Sequence, residues 1–210
     1  SVAIKPYPIC HFNHAPVDAA LALRELHGLD PDAIESVTVH LHERQFGVVV
    51  DPLERKRRPQ SEYDAKFSAP YAVSAALVRG KLGLRELDGD SRQDPAILAL
   101  CQRIDCRHDD RSQYPKTFSG GVRIRMRDGA EYEHFDLINR GAEGRLLDRA
   151  AVKDKFLQNC RLVLNQERSD ALWQAVMTVD DESEVRHLLN ALSGLGQVAS
   201  TQSQIRSAAC

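Results

Sequence analysis

Ten residues near the N-terminus, Lys5 to His14 (KPYPICHFNH), combine side chains that bind anions with side chains that move protons. Lys5, His11 and His14 can each carry a positive charge, and histidine exchanges a proton near neutral pH. Two prolines stiffen the backbone of this segment. A predicted helix begins directly after it, where backbone N–H groups favour anions. Carboxylate recognition joined to acid–base chemistry is a natural use of such a set, and an ordinary loop with surface histidines is the alternative.

Other candidates for chemistry have weaker support from their spacing. His40 and His42 lie on one face of a predicted strand, as in some metal sites, but no third ligand accompanies them and a solvated face is favoured. The basic run at residues 55–58 (RKRR) could attract an anion, although a solvated loop is favoured. The chain has no P-loop, no Gly-rich dinucleotide fingerprint, no HExxH and no GxSxG.

The composition sets the broad class of protein. With 210 residues, 42% of them hydrophobic, the chain can form one large domain or one domain with an appendage. A net charge of -2 argues against general nucleic-acid binding. No run of about 18 apolar residues and no signal peptide is visible, so we expect no membrane association. Five cysteines without a C-x-x-C indicate reduced thiols in a cytoplasmic protein. Because the chain begins with Ser1 rather than Met, we expect a fragment or a processed product.

The elements that must position the first segment follow from periodicity and end signals. Residues 15–30 predict a helix, with Pro16 in its first turn and Gly28 at its C-terminal stop. Residues 36–43 alternate between apolar and polar side chains and predict a half-buried strand. Residues 51–60 read as a charged loop.

Two further helices are predicted in the middle of the chain. Residues 61–81 read as a helix that Pro70 weakens or restarts, which leaves 71–78 as the firm portion. Residues 94–104 read as a helix with Asp94 as its N-terminal cap.

Residues 121–137 give the clearest local signal, which is a β-hairpin with an Asp-Gly turn. A two-residue loop would place the glutamates of the second strand on the apolar face. A three-residue loop over residues 127–129, with Gly129 as the left-handed residue, instead sets opposite charges across the strands. The predicted pairs are Arg125 with Glu131 and Arg123 with Glu133.

From Asp148 onward the pattern is helical. We therefore predict an α+β fold, with a small mixed or antiparallel sheet and packed helices over residues 1–147. C-terminal helices follow over residues 148–195, and a small, polar tail over residues 196–210 is expected to fray.

Four segments stand out along the chain, and in order they are KPYPICHFNHAPVDAALALRELHGLDPDAIESVTV, DAKFSAPYAVSAALVRGKLG, YPKTFSGGVRIRMRDGAEYEH and VKDKFLQNC. The first has a lysine before an aromatic-Pro pair, a histidine shortly after, and an Ala-rich helix. Together, over residues 1 to about 165, they resemble the C-terminal domain of the MmgE/PrpD family, which includes 2-methylcitrate dehydratase, cis-aconitate decarboxylase and iminodisuccinate epimerase.

The resemblance implies a two-domain enzyme in which a larger helical domain precedes this lid-like domain and the active site lies between them. Members use no metal or organic cofactor. They abstract a proton next to a carboxylate of a small di- or tricarboxylate, and then water or CO₂ is lost or the centre is inverted. The chain would be the C-terminal part of such an enzyme, inactive alone, with a helical domain or a second copy as its partner. The alternative is a stand-alone binding or dimerisation module without catalysis.

The resemblance carries family roles to particular positions of this sequence. The catalytic set is Lys5, His11 and Tyr71, the substrate-binding set is His14 and Lys66, and no metal ligand is implied. Lys5 would bind a carboxylate, and Tyr71, expected to face the same cleft, would donate a hydrogen bond or a proton. Cys10 stands where relatives can have histidine, which leaves open whether Cys10 or His11 takes that role. The substrate and the branch of the reaction are also left open.

Overall fold

The computed structural model describes residues 3–179 and the isolated positions 185, 188, 189 and 192. The chain divides into two compact units, residues 1–147 and residues 148–210. The predicted tail at 196–210, and most of the predicted helical region beyond residue 179, lie outside the described residues.

The first unit contains a sheet and several helices, joined by 3-10 turns. Its strands are β1 Ile34–Leu41, β2 Ile104–His108, β3 Gly120–Met126 and β4 Glu131–Asp136. Its helices are α1 His14–His27, α2 Phe46–Val49, α3 Leu53–Arg57, α4 Glu62–Lys66, α5 Ala69–Arg79, α6 Gly89–Arg92 and α7 Pro95–Cys101. The second unit contains α8 Arg149–Cys160 and α9 Gln166–Met177.

The sheet has the strand order β2-β1-β3-β4 and is mixed. β1 pairs with β2 in parallel and with β3 antiparallel, and β3 pairs with β4 antiparallel. Helix α1 packs on β3 and β4 and on α5, which packs in turn on α7. Apolar side chains from β1, β3, α1 and α5 form one buried core. The expected α+β fold, with helices packed on a small sheet, is confirmed.

The hairpin has the register that the charge pattern predicts. Arg125 is opposite Glu131 and Arg123 is opposite Glu133. The Arg123 guanidinium lies 2.6 Å from the Glu133 carboxylate. The loop has three residues, closed by the N–H of Met126 donating to the carbonyl of Ala130 (2.8 Å).

The predicted helix ends are also confirmed. Helix α1 has Pro16 in its first turn and ends at Gly28. Pro70 lies in the first turn of α5, so the predicted long helix is interrupted and restarts there, with the hydroxyl of Ser68 accepting a hydrogen bond from the helix N-terminus. The side chain of Asp94 caps α7 in the same way.

The structure differs from the sequence prediction in the region around β2. This strand was not predicted, and the predicted charged loop contains the short helix α3. His40 is buried rather than solvated, because the residues after β2 cover that end of β1. The Asp109 N–H donates to the Leu41 carbonyl (3.0 Å), and the Asp109 carboxylate lies 3.1 Å from the His40 ring. His42 lies beyond the strand, where its ring accepts a hydrogen bond from the N–H of Arg44.

Replacing Gly129 with alanine should destabilise the hairpin. Gly129 has φ +91°, a conformation that L side chains rarely adopt, although the space around it is open. We expect a loss of about 1 kcal/mol in the free energy of unfolding, measured by urea titration. The matched control is Gly47→Ala, an equally open glycine within α2, which should be neutral or slightly stabilising. Equal stabilities for the two variants would contradict the left-handed turn.

Candidate functional site

The segment from Lys5 to His14, which we call the site segment, is fixed to its unit by hydrogen bonds. The N–H of Cys10 donates to the carbonyl of Lys66 (2.9 Å), and the side-chain amide of Asn13 donates to the same oxygen (3.4 Å). The segment then passes through a 3-10 turn, His11–Asn13, directly into α1. It is therefore an ordered part of the fold and not a loose surface loop.

Three of the predicted site residues meet within this segment. The Lys5 ammonium donates to the carbonyl of Ile9 (3.2 Å), and the Nε2 atom of His14 lies 3.4 Å from that same oxygen. The rings of His11 and His14 are in edge contact, with centroids 4.8 Å apart. Lys5 is exposed, His11 is half-buried and His14 is fully buried. The group therefore runs from a cation at the surface to an imidazole in the interior.

The surroundings of His11 favour its neutral form. Burial lowers the pKa of His11, and the nearby positive charge of Lys5 lowers it further. Its Nε2 atom is buried and has no hydrogen-bond partner among the residues that the structure describes. A neutral imidazole can accept a proton, which is one of the requirements for a general base.

Cys10 is adjacent to His11 but has a different chemical character. Burial raises the pKa of the Cys10 thiol, and this outweighs a hydrogen bond from the Phe12 backbone and the charges of Lys5 and Lys56, which lower it. The thiol form is unreactive compared with a thiolate. Of the adjacent residues Cys10 and His11, the directions of the pKa shifts therefore favour His11 for proton transfer.

Lys66 reaches the site through its backbone. Its carbonyl accepts the two hydrogen bonds from the site segment, whereas its ammonium pairs with the Glu62 carboxylate at 2.6 Å, one turn earlier in α4. The Lys66 side chain is partly exposed, so its charge lies at the surface beside the segment.

Tyr71 is placed differently from the sequence-based expectation. It is fully buried, and its hydroxyl donates to the carbonyl of Glu86 (2.7 Å). Burial raises the pKa of the Tyr71 hydroxyl. The cause is the position of α5, which packs against both α1 and α7 and buries its residues from Ala69 to Leu77. In this structure Tyr71 and Lys5 do not open onto a common surface.

Several neighbours of the site were not singled out from the sequence. The ring of His11 stacks on Phe118 (5.1 Å between centroids), and Phe12 makes an edge contact with Tyr114. The hydroxyl of Tyr7 donates to the buried carboxylate of Asp18 (2.7 Å). Phe118 and Tyr114 lie in a motif that carries the family resemblance. The sequence does contain one sign that Asp18 is unusual, because Asp18 is an acidic residue within the apolar, Ala-rich first half of a predicted helix.

The described part of the chain offers neither a metal site nor a membrane span. Among these residues, no group of three or more His, Cys, Asp or Glu side chains is arranged to hold a metal ion. Within the same residues, no helix is long and apolar enough to cross a membrane.

The fold and the site together define a class of protein. It is an α+β domain in which a lysine and two histidines gather where the chain enters its first helix, a chemistry suited to acidic ligands and proton transfer. The chain matches the MmgE/PrpD C-terminal domain over residues 7–181, and it belongs to that family.

Two curated relatives are similar to this chain. One is the cis-aconitate decarboxylase-like protein oryM of Aspergillus oryzae, 23% identical over 162 residues, which cover 77% of this chain and 33% of the relative. The other is the cis-aconitate decarboxylase of Mus musculus, 23% identical over 201 residues, which cover 92% of this chain and 40% of the relative. The chain therefore spans no more than about two fifths of the length of either relative.

Lys5→Gln should raise the pKa of His11, because it removes a positive charge that disfavours the imidazolium. The lowering caused by burial should remain. NMR titration of the His11 ring measures the change. Lys81→Gln removes an exposed charge from the same unit and should leave the His11 titration as it is in the wild type. If the two variants titrate alike at His11, Lys5 does not act on this imidazole.

Proposed function

We propose that this chain is the C-terminal part of a dehydratase, decarboxylase or epimerase that acts on small di- or tricarboxylates without a metal or organic cofactor. The observation that carries the proposal is that the Lys5 ammonium and His14 meet at the Ile9 carbonyl, with the His11 ring in contact with the His14 ring. Membership of the MmgE/PrpD family supports the reaction class. The similarity to a cis-aconitate decarboxylase and to a cis-aconitate decarboxylase-like protein supports a cis-aconitate-like tricarboxylate as the type of substrate.

Lys5 and His11 have complementary roles in this proposal. The Lys5 ammonium, which is exposed, binds a substrate carboxylate by a charge-assisted hydrogen bond. His11, held neutral by burial and by Lys5, accepts the proton from the carbon next to that carboxylate. The cation also stabilises the negative charge that spreads onto the carboxylate as the proton leaves. Groups outside this chain would decide whether water or CO₂ is lost or the proton returns to the opposite face.

The remaining predicted residues act around this pair. Buried His14 orients the His11 ring through their edge contact. Lys66 binds a second carboxylate by exchanging it for Glu62, its present partner. Tyr71 can donate to a substrate only if its hydroxyl leaves the Glu86 carbonyl, so in this conformation its role is to hold α5 in place.

The partner of this chain is proposed from the apolar surface of the second unit. Phe156 and Trp173 pack together there, whereas Val163, Val176 and Met177 are exposed in the described structure. We propose that a helical domain or a second copy of the chain covers these residues, as in a homodimeric, cytoplasmic enzyme.

Carboxylate binding is tested by titrating the 210-residue chain with citrate and following the amide resonances. The wild type should show saturable shifts in the site segment. Lys5→Ala should weaken the affinity roughly tenfold, the effect of losing one charge-assisted hydrogen bond, whereas Lys81→Ala should not. Equal affinities for wild type and Lys5→Ala would contradict the carboxylate-binding role.

The chain alone should not turn over 2-methylcitrate, citrate or cis-aconitate. Catalysis in this proposal needs groups from a second, helical domain held against the site segment. The assay is product formation by the purified 210-residue chain, with each substrate at saturating concentration. Clear turnover would show that this chain contains a complete active site.

The exposed residues of α9 should cause self-association. Sedimentation velocity over a range of concentrations should reveal an oligomer, and a hydrophobic dye should bind. Val176→Lys should shift the equilibrium toward the monomer, whereas Gln174→Lys, an exposed polar position on the same helix, should not. A wild-type monomer at every concentration, with no dye binding, would contradict this part of the proposal.

A further inference from the structure

We propose that Asp18 is a positioning residue of the candidate site, which fixes the site segment by binding Tyr7 with one carboxylate oxygen and the loop at residues 139–145 with the other. The orientation of Lys5 and His14 would then depend on a carboxylate that itself touches no substrate. This inference rests in part on the proposed carboxylate-binding function.

The contacts of Asp18 join three separate parts of the chain. Asp18 is on the second turn of α1, and its side chain is 3% exposed. Its Oδ1 atom accepts the hydroxyl hydrogen of Tyr7 (2.7 Å), and its Oδ2 atom accepts the backbone N–H of Arg140 (3.0 Å). The Arg140 guanidinium lies 3.7 Å from Oδ1 and 5.8 Å from the centre of the Tyr7 ring.

A buried carboxylate is costly unless its oxygens are paired, so this arrangement has few alternatives. Burial raises the pKa of Asp18, and the bonds from Tyr7 and Arg140 act in the opposite direction by favouring the charged form. Burial and the Asp18 charge both raise the pKa of Tyr7, which therefore remains a donor. The two groups stabilise each other's protonation states.

The same loop also holds Ile4, the residue directly before the site segment. The N–H of Ile4 donates to the carbonyl of Gly141 (3.1 Å). Gly141 has φ +87°, and a Cβ atom there would lie 2.0 Å from the Ile4 carbonyl oxygen, so glycine is required for this approach. Lys5 is thus flanked by two anchored residues, Ile4 and Tyr7.

The Tyr7 anchor also reaches the histidines. The Tyr7 ring is buried and lies 5.5 Å from the ring of His14, which contacts His11. Displacing Tyr7 would therefore loosen the position of Lys5 and disrupt the packing of His14. A site whose cation is held in place binds its ligand with less ordering cost.

Tyr7→Phe in the 210-residue chain tests the anchor, because it removes only the hydroxyl that reaches Asp18. The matched control is Ser74→Ala, which deletes another buried hydroxyl donor, the one that binds the Ile97 carbonyl (2.6 Å). We expect Tyr7→Phe to speed amide exchange at Ile4 and Cys10 and to weaken citrate affinity, each about tenfold relative to the control. The NMR titration of the His11 ring should also change in Tyr7→Phe alone.

The two variants separate positioning from a general loss of stability. If Tyr7→Phe matches Ser74→Ala in affinity, in exchange at Ile4 and Cys10 and in the His11 titration, Asp18 has no positioning role. If the wild type fails to bind citrate, the proposed function fails. In that case, amide exchange at Ile4 and Cys10 and the His11 titration alone test whether Asp18 and Tyr7 fix the site segment. Asp18→Ala, which removes both acceptor oxygens, should reproduce the effects of Tyr7→Phe, and wild-type behaviour of this variant would also overturn the proposal.

Discussion

Burying the Asp18 carboxylate requires a hydrogen-bond donor for each of its oxygens, and this requirement organises one side of the first unit. The donors come from Tyr7 in the site segment and from Arg140 after β4, which are separated by most of the unit in sequence. A second acceptor, the Lys66 carbonyl, receives hydrogen bonds from Cys10 and Asn13. The backbone of the site segment is therefore fixed by two acceptors, the Asp18 carboxylate and the Lys66 carbonyl, and this backbone positions the side chains of the segment.

The chemical character of the site follows from how deeply each of its side chains is buried. Lys5 lies at the surface, where an anion can reach it, whereas burial and the charge of Lys5 lower the pKa of His11, whose ring stacks on Phe118, and so favour its neutral form. A cation beside a neutral imidazole suits the deprotonation of a carbon acid, because the imidazole accepts the proton and the cation stabilises the negative charge that remains. Cys10, which is adjacent in sequence, is kept as a thiol by the same burial.

Local signals in the sequence predicted much of the fold. The hairpin register followed from charges that must face each other across two strands, and the ends of α1, α5 and α7 followed from proline, glycine and capping side chains. These features depend on residues close in sequence, where propensity and geometry act directly. Strand β2 was missed because it is short and is stabilised by parallel pairing with β1, which is distant in sequence.

The candidate site was predictable only in its first segment. A lysine and two histidines within ten residues pointed to chemistry, and the structure brings them together. The environment of Tyr71 could not be predicted from its motif, since its burial depends on how α5 packs against α1 and α7. Asp18 was missed for the same reason, because its significance comes from Tyr7 and Arg140, and only the folded chain brings Arg140 to it.

The central claim is that Lys5 binds a substrate carboxylate in an MmgE/PrpD-type enzyme. The most direct measurement is kcat/KM for cis-aconitate and 2-methylcitrate, using this domain joined to a family helical domain in one active polypeptide. The account predicts that Lys5→Ala lowers kcat/KM roughly a hundredfold or more, the usual scale for a group that stabilises developing charge, while Lys81→Ala does not. A folded Lys5→Ala enzyme with near wild-type kcat/KM would contradict it.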